Sequence, residues 1–191
     1  MTDTDRSDTY RKTVYQPAED STLLLETATD ILEPGWTVIE TGVGSGFVAS
    51  ELADRLAVRV IGSDINPYAC RSTLEQGIQC IRCSLLDAIA THSVDAALFN
   101  PPYLPDDGRL PDDWLSAAVA GGPTGSEVAL AWLADLERVL RPDGVAIIVV
   151  SSHTGIEHIC DAARSKGFEP TVHDEQRWSF ERLVSIVLRK G

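Results

Sequence analysis

Helix-like and strand-like hydrophobic periods alternate along nearly the whole chain, and this alternation constrains the fold more than any single motif. Over Pro17–Leu32, apolar residues at Ala18, Leu24, Leu25, Ala28, Ile31 and Leu32 carry a helical spacing that Pro34-Gly35 closes. Trp36–Thr41 reads as a short strand running into a glycine-rich turn, Phe47–Leu56 as a helix and Val58–Ser63 as the next strand. Asn66-Pro67 opens a helix that ends near Gly77, because a proline in the first turn gives up an N–H that has no helical partner. Strands follow at Ile78–Cys83 and Val94–Phe99. A long polar loop then leads to a helix over Ser126–Leu140, and Arg141-Pro-Asp-Gly144 reads as a turn. Val145–Val150 is apolar throughout, the pattern of a strand buried on both faces. A helix over Gly155–Lys166 is closed by Gly167, and strands near Pro170–His173 and Arg182–Leu188 can pair as an antiparallel hairpin. This order predicts an open α/β sheet, mostly parallel, with helices on both faces and a C-terminal antiparallel hairpin.

The length of 191 residues fits one domain spanning 1–191, with residues 1–14 expected to be a flexible N-terminal segment. No apolar run reaches the ~18 residues of a membrane span, and the polar start does not resemble a secretory signal. A soluble, cytoplasmic protein is expected. The formal net charge is −13, which opposes nucleic-acid binding because phosphate neutralisation supplies much of such affinity. Only three lysines accompany thirteen arginines, and aspartate outnumbers glutamate by seventeen to twelve, a bias that suits a halophilic cytoplasm. Cys80 and Cys83 form a CxxC, but Cys70 and Cys160 stand far apart from each other, so no metal is expected and the thiols read as small apolar residues.

The chemistry-bearing motifs fall at the carboxyl ends of the predicted strands, where open α/β sheets bind ligands. Glu40-Thr-Gly-Val-Gly-Ser-Gly46 follows strand one, Asp64 strand two, Ser84-Leu85 strand three and Asn100-Pro-Pro-Tyr103 strand four. A glycine loop lets backbone approach a nucleotide closely, and dinucleotide enzymes share it. Glu40 distinguishes the two cases: an acid beside the loop opposes pyrophosphate but suits the sulfonium and amino group of S-adenosylmethionine. Asp64 can accept two ribose hydroxyls, which does not discriminate. In Asn100–Tyr103, the Asn side-chain oxygen and the carbonyl of Pro101 can each accept one N–H of a planar amide or amine. Such a nitrogen is a weak nucleophile, and the two acceptors fix its direction while the prolines fix the backbone. Tyr103 can pack on the flat target group or the sulfonium.

Tyr15-Gln-Pro-Ala-Glu-Asp-Ser21, Glu40–Gly46, Asp64-Ile-Asn-Pro67, Asn100–Tyr103 and Ala120-Gly-Gly-Pro-Thr-Gly125 occur in that order. Together they resemble the short HemK-related N5-glutamine methyltransferases that modify class 1 translation release factors in archaea and eukaryotes. The resemblance covers nearly the whole chain. It implies a Rossmann-like, seven-stranded class I S-adenosylmethionine-dependent methyltransferase fold. It further implies methyl transfer to the glutamine of the release factor's Gly-Gly-Gln motif, with S-adenosylhomocysteine as product. By motif position, Ser21, Glu40, Gly42, Gly44, Asp64, Ile65, Ser84, Leu85 and Asn100 would contact the cofactor. Asn100, Pro101, Pro102 and Tyr103 would hold the target, with Asn100, Pro101 and Tyr103 catalytic. One departure stands out: the family often carries an acid where this chain has Ser84, facing the adenine amino group.

The resemblance also implies a small zinc-binding activator protein that pairs with the sheet edge. Strand three would form that edge, with Ile78, Cys80, Ile81 and Cys83 as an apolar interface. Other readings on the same scaffold are an adenine-N6 nucleic-acid methyltransferase, a protein lysine methyltransferase and a non-catalytic cofactor-binding subunit. The charge opposes the first, the absence of an obvious base the second, and the intact Asn100–Tyr103 the third.

Overall fold

A computed structural model describes residues 12–106 and 108–191; residues 1–11 of the expected flexible segment, and Asp107, lie outside them. Where the description begins the chain is held, since Val14 is buried and Asn66 Nδ2 donates to the Thr13 carbonyl (2.7 Å).

Helix α1 (Glu19–Ile31) leads to strand β1 (Thr37–Thr41), helix α2 (Phe47–Arg55) and strand β2 (Arg59–Asp64). Helix α3 (Pro67–Glu75) follows, then β3 (Gln79–Arg82) and β4 (Val94–Phe99). Asn66 caps α3 by accepting the Tyr68 N–H (2.9 Å). The expected long loop contains three short elements, β5 (Leu104–Pro105), α4 (Trp114–Val119) and β6 (Ala120–Gly122). Helix α5 (Glu127–Val139), strand β7 (Leu140–Ser151), helix α6 (Ile156–Ser165) and strands β8 (Phe168–Arg177) and β9 (Arg182–Lys190) complete the chain.

Seven strands form one sheet in the order β3-β2-β1-β4-β7-β9-β8, parallel from β3 to β7 and antiparallel across β7–β9 and β9–β8. Alternation along each central strand sends residues to two separate cores. Val145, Ile147 and Val149 of β7 join Leu23, Leu24 and Leu52 on one face, while Ala146, Ile148 and Val150 join Trp132, Leu136 and Ile159 on the other. Among the described residues no helix is long and apolar enough to cross a membrane, and no group of three or more His, Cys, Asp or Glu side chains could hold a metal ion.

Two expectations need correction. The Arg141–Gly144 turn lies inside β7 as an irregularity: Leu140 pairs with Val94, the register breaks, and pairing resumes at Val145 opposite Ala96. Asp95 holds this excursion by accepting from both Arg141 Nη1 and the Thr37 N–H. The β8–β9 hairpin is longer than predicted at the β8 end, because nine residue pairs carry it from Phe168–Lys190 to Arg177–Arg182. β3 ends the sheet as expected. Ile78 is buried, Ile81 packs against one core and Cys80 against the other, and Cys83 lies beyond the strand. In a pleated strand side chains project above and below the sheet, so the edge itself offers backbone groups.

Candidate active site

The carboxyl ends of β1, β2 and β4, with the turn after β3, surround one cavity of about 440 Å³. All twelve residues expected to bind cofactor or target line it, from Ser21, Glu40, Gly42 and Gly44 through Asp64, Ile65, Ser84 and Leu85 to Asn100, Pro101, Pro102 and Tyr103. Cys83, expected in the partner interface, lines it too.

β1 runs straight into the glycine loop. Gly42 adopts φ +61°, and a Cβ there would sit 3.1 Å from the Phe99 ring at the end of β4. Glu40 is buried, its carboxylate accepting the Ala49 N–H in the first turn of α2. Burial, and then the charge of Asp64, hold its pKa well above the usual carboxylate range. Its Oε2 has no partner. Asp64 is fixed differently: Oδ2 accepts the Gly44 N–H (3.0 Å) and Oδ1 the Asn66 N–H (2.8 Å). Burial raises its pKa also, against those N–H contacts. Asp64 itself lines the cavity, and a carboxylate can accept more bonds than these two.

The turn after β3 places Ser84 at the surface and Leu85 at φ +44°. The Leu85 carbonyl accepts the Ser63 hydroxyl (3.1 Å), tying this turn to β2. From below, Arg138 of α5 donates to the carbonyls of Leu86 (2.8 Å) and Ile89 and is itself held by Asp135.

β4 delivers Asn100, whose Oδ1 is buried without a partner. The strip continues through Pro101 and Pro102 to Tyr103 and β5, which pairs in parallel with β6. A Cβ at Gly121 would meet the Pro102 carbonyl oxygen at 2.7 Å, and one at Gly125 would overlap the Tyr103 carbonyl oxygen. The Ala120–Gly125 segment is therefore the backing plate of the Asn-Pro-Pro-Tyr strip, and only glycine permits that approach. Glu127 locks the plate, accepting from the Thr124 N–H (3.1 Å), the Thr124 hydroxyl (2.9 Å) and the Ser126 N–H (3.2 Å). This role of Gly121, Gly125 and Glu127 was not assigned from the sequence. Helix α4 contributes Trp114, Ala117, Ala118 and Val119 to the cavity wall, again unanticipated, although Asp113 caps it by accepting the Ser116 N–H (2.8 Å).

On the N-terminal side Tyr15 donates its hydroxyl to Asp20 Oδ2 (3.0 Å), and Asp20 Oδ1 accepts from the Ser21 N–H (2.6 Å). Burial and then the charges of Glu181, Asp20 and Glu19 push the Tyr103 phenol up to about 12, so it remains protonated. All four cysteines are free, and burial pushes the Cys70 and Cys80 thiols up.

The donor set fits S-adenosylmethionine. An orphaned, buried carboxylate oxygen awaits a cation, a fixed aspartate awaits paired hydroxyls, and a glycine loop permits close backbone approach. The second orphan, Asn100 Oδ1, awaits a donor such as an amide N–H.

No family model matches the chain. Individual proteins do. A Methanocaldococcus jannaschii protein, provisionally named a protein N5-glutamine methyltransferase, is 34% identical over 181 residues, covering 91% of this chain and 90% of its own. The human methyltransferase HEMK2 is 32% identical over 193 residues, covering 93% and 90%. Among solved structures, the Encephalitozoon (E.) cuniculi Mtq2–Trm112 complex, described as responsible for methylating the termination factor eRF1, superposes with a TM-score of 0.78 at 26% identity. That alignment covers 93% of this chain and 99% of the matched one. The relatives and the cavity converge: the chain belongs to the HemK-related family of S-adenosylmethionine-dependent protein N5-glutamine methyltransferases.

Proposed function

We propose that the chain methylates the side-chain amide of the glutamine in the Gly-Gly-Gln motif of a class 1 translation release factor. It would act as the catalytic subunit of a heterodimer with a small zinc-binding activator. The observation that carries the reading is the pair of buried polar atoms without partners, Glu40 Oε2 and Asn100 Oδ1, in one cavity. Leaving a buried acceptor unpaired costs about 1–3 kcal/mol, so two in one cavity mark places where a ligand completes the bonding.

The cofactor, when bound, supplies an electrophilic methyl group on a sulfonium. Glu40, ionised by that cation, neutralises it, and Asp64 accepts the ribose hydroxyls while held by Gly44 and Asn66. Ser21, Gly42, Gly44, Ile65, Ser84 and Leu85 complete the cofactor's surroundings. Asn100 Oδ1 accepts one N–H of the target amide and the Pro101 carbonyl the other. This holds the nitrogen so that its lone pair, as it develops, points at the methyl carbon. Tyr103 and Pro102 flank the amide plane, and Tyr103 stays neutral throughout because its phenol is pushed up to about 12. Catalysis then rests on orientation and preorganised acceptors: no strong base is required before attack, and the methylated nitrogen releases one proton to solvent once the N–C bond has formed and the S–C bond has broken.

The activator would pair with β3, which ends the sheet and presents backbone groups at its edge. The relative solved with Trm112 supports a partner of this kind. The test is transfer of labelled methyl from S-adenosylmethionine to a purified archaeal release factor, with and without the activator. Label that disappears when the Gly-Gly-Gln glutamine is changed to alanine supports the reading. Absence of label despite measurable cofactor binding overturns it.

A further inference from the structure

Between β8 and β9 the chain turns through Trp178-Ser-Phe-Glu181, closed by the Trp178 N–H on the Glu181 carbonyl (2.8 Å). A tight hairpin connection needs small or polar residues, not large apolar ones. Here Trp178 is 39% exposed and Phe180 77%, the highest value among the large hydrophobic residues described.

The tip is braced. Ser151 Oγ donates to Glu181 Oε1 (2.7 Å), the Ser152 N–H to the Arg182 carbonyl (2.8 Å), and the Arg182 N–H to Ser152 Oγ (3.0 Å). It also lies on the same edge of the sheet as the cavity. β9 pairs antiparallel with β7, Leu183 opposite Ser151, which puts the turn on the rim where β4 delivers Asn100. Glu181 lies close enough to Tyr103 for its charge to act on the phenol. Leu104 lines the cavity and is itself exposed.

We propose that this hairpin tip is a docking surface for the body of the methyl-acceptor protein, distinct from the cavity that receives the target side chain. The proposal rests on the function given above and adds to it a recognition element outside the reacting centre. The occupant follows from size and charge. A small acceptor enclosed by a cavity of about 440 Å³ does not reach the tip. A nucleic acid meets Glu19 and Glu181 around Tyr103 on a chain of net charge −13. A protein surface can cover both aromatics while one of its side chains enters the cavity, and exposed Trp and Phe on a braced turn are residues that can anchor such contacts. β3 lies at the end of the sheet opposite the β9–β8 pair, so activator and acceptor would occupy separate surfaces.

The experiment compares two acceptors, an intact release factor and a short peptide containing Gly-Gly-Gln, using the full chain with its activator. For W178A/F180A, the KM for the intact factor is expected to rise at least tenfold. Peptide kcat/KM and equilibrium cofactor affinity should move less than twofold. F180S alone, at the more exposed position, should raise the same KM at least threefold and guards against misfolding of the double variant. An unchanged KM for the intact factor in both variants overturns the proposal. Equal losses on peptide and factor also overturn it, because they place the effect in the cavity. RNA that binds the wild-type chain and not the double variant overturns the choice of a protein occupant. If the wild-type chain labels neither acceptor, the underlying reading fails first and the docking surface falls with it.

Discussion

The antiparallel end of the sheet and its centre treat buried polar atoms in opposite ways. Toward β9 and β8 the bonding is closed: Thr27 Oγ1 donates to Ser185 Oγ (2.7 Å), which also accepts the Asp174 N–H (3.1 Å). At the rim of β1 and β4 it is open, with Glu40 Oε2 and Asn100 Oδ1 unpaired. The other buried side-chain oxygens without a partner among the described residues are the Thr73 and Thr154 hydroxyls, and neither residue lines the cavity. The closed side stabilises the fold, and the open side gives up part of that stability to be ready for a ligand.

Asn100→Ala should show the largest effect. Removing one preorganised acceptor is expected to lower kcat by about 10²–10³, with cofactor affinity within a few-fold of wild type. Single-turnover transfer alongside calorimetric cofactor binding checks both, and wild-type-like turnover would sink the assigned role. Its counterpart on the closed side is Ile186→Ala, at a fully buried position in β9. That cavity should cost about 3 kcal/mol and lower Tm by roughly 6–12 °C, with cofactor affinity unchanged. A loss of cofactor binding without a fall in Tm would dissolve the contrast between the two sides.

How much of this the sequence revealed depends on what carries each feature. β4, Val94–Phe99, was found to the residue because its apolar run has one interpretation. Asn100–Tyr103, Glu40 and Asp64 were legible because their chemistry is local to a strand end. The short elements over 104–122 were not, since β5 and β6 exist only by pairing with each other across a long separation. Gly121 and Gly125 belong to one of the motifs that carry the resemblance, yet what they approach, the carbonyls of Pro102 and Tyr103, is a tertiary fact. Gly125→Ala, at φ +85°, is accordingly expected to shift the strip and reduce kcat by about tenfold while costing about 1–2 kcal/mol of stability. Turnover equal to wild type would show that the plate does not position the strip.

Glu40 makes the opposition pH-dependent. Its folded pKa lies above the unfolded value, so the folded free chain holds that proton more tightly than the unfolded chain. The resulting stabilisation is fully present below the unfolded carboxylate pKa and is lost as pH rises through the folded value. A cationic ligand favours the ionised form, so its affinity should rise with pH over the same window and its binding should release a proton. Glu40→Gln should flatten both dependences. At pH 7.5 it should raise the free chain's Tm by about 2–4 °C, for roughly 1 kcal/mol, while weakening cofactor binding at least tenfold. Proton release measured by calorimetry in buffers of different ionisation enthalpy reads the same linkage, and equal release by E40Q would assign it elsewhere.

The smallest effect belongs to Ser84, where the resemblance leads one to expect an acid. Ser84 is exposed on the turn after β3, and a hydroxyl there accepts an amino N–H less strongly than a carboxylate does. Ser84→Asp should tighten cofactor binding by about three- to fivefold, for a gain of roughly 0.5–1 kcal/mol in an exposed charge-assisted bond. The gain should shrink as salt is raised, because the new charge is open to solvent. A cofactor analogue lacking the exocyclic amino group separates recognition from general electrostatics. Tightening confined to the natural cofactor places Ser84 against the adenine, and equal tightening for both would mean that the added charge acts on the cation from a distance. In that case the open side of the sheet would select its ligand by charge alone at this corner, with Glu40 and Asp64 carrying the discrimination.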